Sequence, residues 1–251
     1  MNAAPDHLDT LSAALDAAPA CIDFFVRDDD TGWDDRSLFA LLDVTARAAV
    51  PIDLAVIPQA TGATLAASLC ARKAVAPALI GLHQHGFAHR NHETVARKCE
   101  FGASRRLDLQ QADLAAGRER LRELFGALLD PFFTPPWNRC SAATPTLLAD
   151  LGFAALSRSR GAEAQQALPE ISVDVDWCKQ RRLARAAGGD SGVLRIAREL
   201  ARRVAAGGPV GLMLHHAAMD AEDLALLAGV FRLTTRHPRS CWRPMRELLA
   251  R

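Results

Sequence analysis

The chain has 251 residues, 49% hydrophobic and 24% charged: enough for one large core, and at ~100–200 residues per domain also for two, although α/β barrels often use this length for one. Its 30 basic and 29 acidic side chains leave a formal charge of +1, which speaks against a nucleic-acid binder working through a broad basic field. No apolar run approaches the ~18–20 residues of a membrane span. The first ten residues show neither the basic nor the apolar region of a signal peptide, so the expected location is the cytoplasm.

Short apolar runs alternate with longer amphipathic stretches. Strands are expected over 21–27, 52–57, 79–83, 132–134, 153–157, 171–174 and 210–215, and helices over 36–49, 63–72, 109–129, 144–151, 193–206 and 221–236. Strands separated by helices pair in parallel, because parallel neighbours need a long crossover. About seven such units fit an α/β fold, either a β/α barrel or an open doubly wound sheet. No linker divides the chain, and one domain over 1–251 is expected. The six cysteines (Cys21, Cys70, Cys99, Cys140, Cys178 and Cys241) are widely spaced with no C-x-x-C pair. They read as reduced thiols in the core, not as a disulfide framework or a structural zinc site.

Either architecture places functional groups at the carboxyl ends of its strands. Asp28, Asp29 and Asp30 follow the first strand. Three consecutive carboxylates repel one another and call for a counter-ion, a divalent metal being the strongest; Asp34 or Asp35 can cap the next helix instead. His85 and His89 follow the third strand at i, i+4. On one helical turn they would share a face, the spacing with which two histidines grip one metal, with Gly86 turning the chain. His83 and His92 are close by, so four of the eight histidines fall within ten residues. An Asp with two His is a usual catalytic-zinc ligand set.

After the fourth strand, residues 134–139 form a rigid turn that presents an indole, an amide and a guanidinium. The sixth strand leads into Asp174, Asp176 and Trp177. Beyond them Lys179, Arg181, Arg182 and Arg185 make a basic stretch ending at Gly188 and Gly189, read as a solvated helix or lid, or as a site for an anionic substrate group. The last strand ends in His215 and His216. A histidine there suits a general acid near neutrality, and because adjacent strand residues point to opposite faces, at most one of the two is expected to reach the site.

In order and spacing, the aspartates, H-x-x-x-H, Pro-Pro turn, D-x-D-W and late histidine resemble the polysaccharide deacetylases, the NodB-homology enzymes of carbohydrate esterase family four, over residues 21–216. The resemblance implies a distorted (β/α) barrel with about seven parallel strands. It also implies a metal-dependent hydrolase that removes an acyl group, acetyl by expectation, from an N-acylated sugar or related amide. Its partner would be a small-molecule or oligomeric N-acylated carbohydrate. Asp30, His85 and His89 would hold one divalent metal, with zinc expected and cobalt, nickel, iron or manganese as alternatives. Asp29 or Asp28 would be the base for the attacking water, and His215 or His216 the acid for the leaving amine. Asp174 or Asp176 would support the catalytic groups. Pro136, Trp137, Asn138, Arg139, Asp176, Trp177 and Leu214 would face the substrate, with Trp177 as an aromatic wall and a backbone N–H of the 136–137 turn serving the oxyanion.

The family's third motif reads R-P-P-x-G. Here Thr134 stands for its Arg and Asn138 for its Gly, and Arg139 is the candidate for the missing cation. Leu214 and His216 meet the last motif's Leu-x-His spacing, whereas His215 better continues the strand. Two other readings compete: an amidohydrolase or phosphoesterase built on the H-x-H of His83 and His85, and a non-catalytic carbohydrate-binding protein on the same barrel.

Overall fold

Strand-forming apolar runs and amphipathic helices alternate along the chain. The computed structural model, which describes residues 8–186 and 192–249, assembles them around one eight-stranded sheet. The strands are β1 (Ile22–Thr31), β2 (Ile52–Val56), β3 (Ile80–His85), β4 (Phe132–Thr134), β5 (Ala155–Leu156), β6 (Val175–Asp176), β7 (Val210–Leu214) and β8 (Ser240–Trp242). Seven follow the order β5-β4-β3-β2-β1-β7-β6, and β8 pairs the start of β1. Every paired neighbour is parallel. The sheet curls until isolated bridges between Leu156 and Glu170 and between Ser159 and Val173 tie its two margins together. The result is the expected distorted (β/α) barrel, with about seven parallel strands and an irregular seam.

The helices are α1 (Asp9–Ala17), α2 (Asp35–Arg47), α3 (Ala63–Val75), α4 (Leu107–Phe125), α5 (Thr144–Asp150), α6 (Trp177–Ala186), α7 (Gly192–Ala206), α8 (Ala221–Arg236) and α9 (Met245–Leu248). Their ends follow local chemistry. Asp34 caps α2 through the Ser37 N–H at 3.2 Å, as the sequence suggested. Asp220 and Asp223 form a reciprocal capping box on α8. Gly126, at φ 55°, stops α4 four residues before the expected end. No helix among the described residues is long and apolar enough to cross a membrane.

Two differences from the sequence expectation matter for the site. Strand β1 does not end at Arg27 but runs on through the aspartates to Thr31, and β3 runs on to His85. The expected strand over 171–174 is instead the irregular seam, with β6 starting at Val175. The basic stretch is a helix, α6, as expected, in which Arg181 pairs with Asp223 and Glu222, and Arg185 with Asp220; Gly188 and Gly189 lie outside the described residues. The cysteines also depart from expectation. Cys99 alone is buried, and Cys21 is exposed, 3.2 Å from the Cys241 thiol across the β1–β8 pair.

Alternate residues of β1 serve two layers. Phe24 and Val26 join the layer packed under the helices. Phe25 joins Phe132, Ala155, Ile171, Val173, Met213 and Met245 in a second apolar cluster. Asp53 is fully buried: its Oδ2 accepts the Met245 N–H at 2.9 Å, and among the described residues its Oδ1 has no hydrogen-bond partner. Burial pushes the Asp53 carboxyl from 3.8 up to about 7, against the pull of that N–H. The folded chain therefore holds this proton more tightly than the unfolded one. Its contribution to stability is complete below the unfolded value near 3.8 and is lost as pH rises through about 7. Urea unfolding is expected to show stability falling by up to about 4 kcal/mol from this group between pH 4 and pH 8. In Asp53→Asn that share of the slope should disappear; an unchanged slope would assign it elsewhere.

Candidate active site

The longer β1 explains how three consecutive aspartates are used. Arg27 and Asp29 share one face of the strand and Asp28 the other. Between Asp28 and Thr31 the register with β2 shifts, and Asp30 takes the left-handed conformation at φ 71°. That irregularity turns a third carboxylate toward the end of the barrel.

Asp30 is where the histidines converge. Its Oδ1 lies 3.2 Å from His85 Nε2 and 3.1 Å from His89 Nε2, and the three candidate ligand atoms all fall within 4.8 Å of one another. His85 Nδ1 faces the Thr134 carbonyl oxygen at 3.0 Å, so it is Nδ1 that carries the proton and donates. In the neutral ring Nε2 then turns a lone pair toward a carboxylate oxygen. Two acceptors at that distance need a cation between them. Either a second ring proton or a divalent metal satisfies the contact, and a histidine tautomer fixed by a carbonyl is the usual support of a metal ligand. The donor set therefore fits a divalent metal. Without the metal, burial lowers the affinity of His85 for a second proton, but the hydrogen bond to Asp30 more than reverses this and its pKa is raised. Asp30 is held well below the usual carboxylate range, the two histidines outweighing its burial.

His89 does not reach this point on a helical turn, as the i, i+4 spacing predicted. It stands in a loop with its own backbone at φ 53°. A residue that the sequence reading missed holds that loop. Fully buried Glu100 accepts the N–H groups of Phe87 (3.1 Å), Ala88 (2.8 Å) and Arg90 (3.3 Å). Gly86 makes the turn at φ 58°, where a Cβ would stand 2.2 Å from Glu100 Oε2 and 2.5 Å from Pro136 Cγ. The His89 ring sits between two indoles, 4.7 Å from Trp33 and 4.5 Å from Trp137 by ring centroids. Trp137 and Asn138 both adopt left-handed backbone, at φ 55° and 57°, in the turn after Pro136.

Asp29 is buried, and both its oxygens are gripped by Arg27: Nε to Oδ1 at 2.7 Å and an Nη to Oδ2 at 2.9 Å. Burial alone would raise this carboxyl; Arg27, aided by His85 and His215, more than reverses that and holds it below its ordinary value. Arg27 is itself fixed by Ser157 Oγ (2.7 Å) and Asn138 Oδ1 (2.6 Å). Here the structure corrects the sequence reading. The cation missing at Thr134 comes from β1, not from Arg139, whose guanidinium donates to the Lys98 carbonyl oxygen.

The two late histidines separate as strand parity requires. His215 lines a cavity of about 490 Å³ together with Asp29, Asp30, Trp33, His85, His89, Lys98 and Trp137. His216 is buried, its Nδ1 2.6 Å from Asp28 Oδ2 and its Nε2 2.6 Å from the Trp33 carbonyl oxygen. Facing two acceptors, it is an imidazolium with both protons committed. Its pKa is raised to about 9, the Asp28 carboxylate overcoming the cost of burial. Asp28 and His216 thus stand as a buried ion pair behind the cavity wall, outside its lining.

Several expected residues lie elsewhere. Asp174 pairs with Arg160 and Arg203 and accepts the Gly211 N–H. Asp176 caps α6 through the Lys179 N–H. Trp177 is buried and donates to Asp223, and the indoles at the cavity are Trp33 and Trp137. Leu214 belongs to the apolar layer under the helices. Pro136 packs over Gly86, and Asn138 reaches Arg27. His83 is buried against Thr134 Oγ1 at 2.9 Å, and its pKa is lowered to about 3 first by burial and then by Arg27; it is not among the converging donors.

The distorted β/α barrel is shared with a class of solved proteins. No family model matches this sequence, and a search of curated proteins finds no match. The fold recurs in a family 4 carbohydrate esterase from Streptomyces lividans solved with acetate, 14% identical over 90% of this chain and 92% of that one, with a TM-score of 0.54. It recurs in a family 4 acetyl xylan esterase from Clostridium thermocellum solved with a cobalt ion (16% identity, 91% and 90% covered, TM-score 0.54). It recurs also in a pseudoenzyme of the same family from Bacillus anthracis (13% identity, 92% and 66% covered, TM-score 0.60), of which a mutant has restored activity. The chain has the fold of the family 4 polysaccharide deacetylases.

Proposed function

We propose that the protein is a metal-dependent hydrolase that removes an acyl group, acetyl in the first instance, from an N-acylated sugar or sugar-like amine. The observation that carries this reading is the cavity into which Asp30, His85 and His89 converge, with the Arg27-held Asp29 and His215 in the same lining. Asp30 and the two Nε2 atoms would hold the metal, with zinc the first to try. A divalent ion there supplies Lewis acidity, polarising an amide carbonyl and acidifying water near neutral pH.

The chain's own groups supply the rest. Asp29, kept ionised by Arg27, accepts the proton of the attacking water. The bidentate guanidinium holds the carboxylate in one orientation while leaving each oxygen a lone pair. The backbone N–H of Trp137 donates to the carbonyl oxygen as charge develops there, an effect typically worth ~3–4 kcal/mol per donor. His215 gives a proton to the departing amine. Among the described residues its buried Nδ1 has no hydrogen-bond partner, and Asp174 and Asp176, which the resemblance implied as supports, are engaged by Arg160, Arg203 and the Lys179 N–H. Trp33 and Trp137 offer apolar faces to a sugar ring.

The test is release of acetate from a panel of N-acetylated sugars by the zinc-supplemented protein. Asp29→Asn and His215→Gln are each expected to lower kcat by about 10²- to 10⁴-fold. The occurrence of this fold in a pseudoenzyme supports a second reading, a carbohydrate-binding protein. Saturable sugar binding by the metal-loaded chain with no acetate released would select it.

A further inference from the structure

The geometry points to an N-acylated substrate that carries an anionic group, phosphate or carboxylate, received by Lys98 at the rim of the cavity. This inference rests on the deacylase reading of the same site and adds the chemical class of its substrate. Lys98 lines the cavity beside Trp137 and His89. Its carbonyl oxygen accepts from Arg139 Nη1 at 2.9 Å, and the Cys99 thiol meets the Arg139 carbonyl oxygen at 3.2 Å. These contacts tie the segment bearing Arg97 and Lys98 to the turn bearing Arg139.

Among the described residues, none of these three cations has an ion pair. Two of them interact directly: burial, and after it the Arg97 charge, lowers the pKa of Arg139. The acids of the cavity and the segments around it already have partners, Asp30 in His85 and His89. Glu100 is spent on the N–H groups of its loop, Glu93 on the Ser104 N–H, and Asp34 on Ser37. Within the cavity Asp29 is neutralised by Arg27. Like charges gathered without a counter-ion repel, and a bound anion relieves that repulsion. A lysine, as a compact charge on a flexible stem, suits a phosphate or carboxylate that approaches from solvent.

The experiment compares N-acetylglucosamine with its 1-phosphate, its 6-phosphate and the corresponding uronic acid. Each is assayed for acetate release by the zinc-supplemented full chain and titrated calorimetrically for binding. Wild type is expected to favour at least one charged sugar over the neutral parent by about tenfold, and the preference should shrink with added salt. The charged-to-neutral ratio should fall toward one in Lys98→Gln and invert in Lys98→Glu. The phosphate and uronate arms identify the anion. A wild-type ratio near one for every pair, or a ratio unmoved in Lys98→Gln, overturns the inference. If nothing is hydrolysed but charged sugars bind in a Lys98-dependent way, anion recognition stands and the deacylase reading falls. Hydrolysis of neutral and charged sugars alike does the reverse. Sugars that are neither bound nor hydrolysed overturn both.

Discussion

Alanine in place of Asp30, His85 or His89 is expected to strip the protein of its metal, from about one ion per chain to below a tenth, as read by elemental analysis after gel filtration. Catalytic zinc sites use three protein ligands. Here the three candidates converge within 4.8 Å with His85 locked by the Thr134 carbonyl, so each removal leaves two donors and an open coordination sphere. None of the three belongs to the apolar clusters, and circular dichroism should report a folded chain in each case. His83→Gln is the control. Its ring lies against Thr134 Oγ1 and outside the donor cluster, and the variant should keep full metal. Loss in His83→Gln with retention in His89→Ala would move the centre to the H-x-H pair; retention in all three alanine variants would abolish the triad.

Removal of Asp28 is expected to produce the second large effect, on stability. Asp28 and His216 are completely buried and bonded through both His216 N–H groups, side chain and backbone, at 2.6 and 3.0 Å. Deleting one member of such a pair leaves an uncompensated buried charge, and Asp28→Ala should lose about 3–5 kcal/mol in urea unfolding. The pair also has a pH signature. The folded His216 pKa of about 9 lies above its ordinary 6.5. Its stabilising contribution is therefore complete below pH 6.5 and lost as pH rises through about 9. His216→Gln should remove that alkaline decline. Because His216 Nε2 also holds the Trp33 carbonyl, both variants should raise KM more than they lower kcat. A loss confined to kcat would place His216 in the chemistry instead.

The barrel was legible because its strands are short apolar runs and its helices carry caps and stops that act locally. Strand ends were not. The sequence reading ends the first strand before the aspartates because charge normally terminates a buried strand, yet Arg27 and Asp29 neutralise each other inside it. Had the strand been carried to Thr31, parity alone would have set Arg27 beside Asp29 and apart from Asp28. The same parity, applied to His215 and His216, did separate the cavity residue from the buried one. Asp30, His85 and His89 could be grouped from chemistry and spacing, although the helical turn invoked for them does not exist. Glu100 had no such signal: it is fifteen residues beyond His85, outside any periodic segment, and its role depends on three backbone N–H groups that only the folded loop presents. Asp174 and Trp177 were placed by motif order, and tertiary packing gave both to other partners.

Ten residues of β1 carry the proposed base, the guanidinium that holds it, one candidate metal donor and the anchor of the buried imidazolium. The 86–98 loop and the Thr134–Arg139 turn carry the rest, His89 in the donor cluster, Trp137 in the cavity lining and Asn138 on the guanidinium of Arg27. Specificity and the proposed chemistry are therefore written on the same loops, so that exchanging them between barrels of this kind should leave a working donor cluster only where a histidine stands in the place of His89.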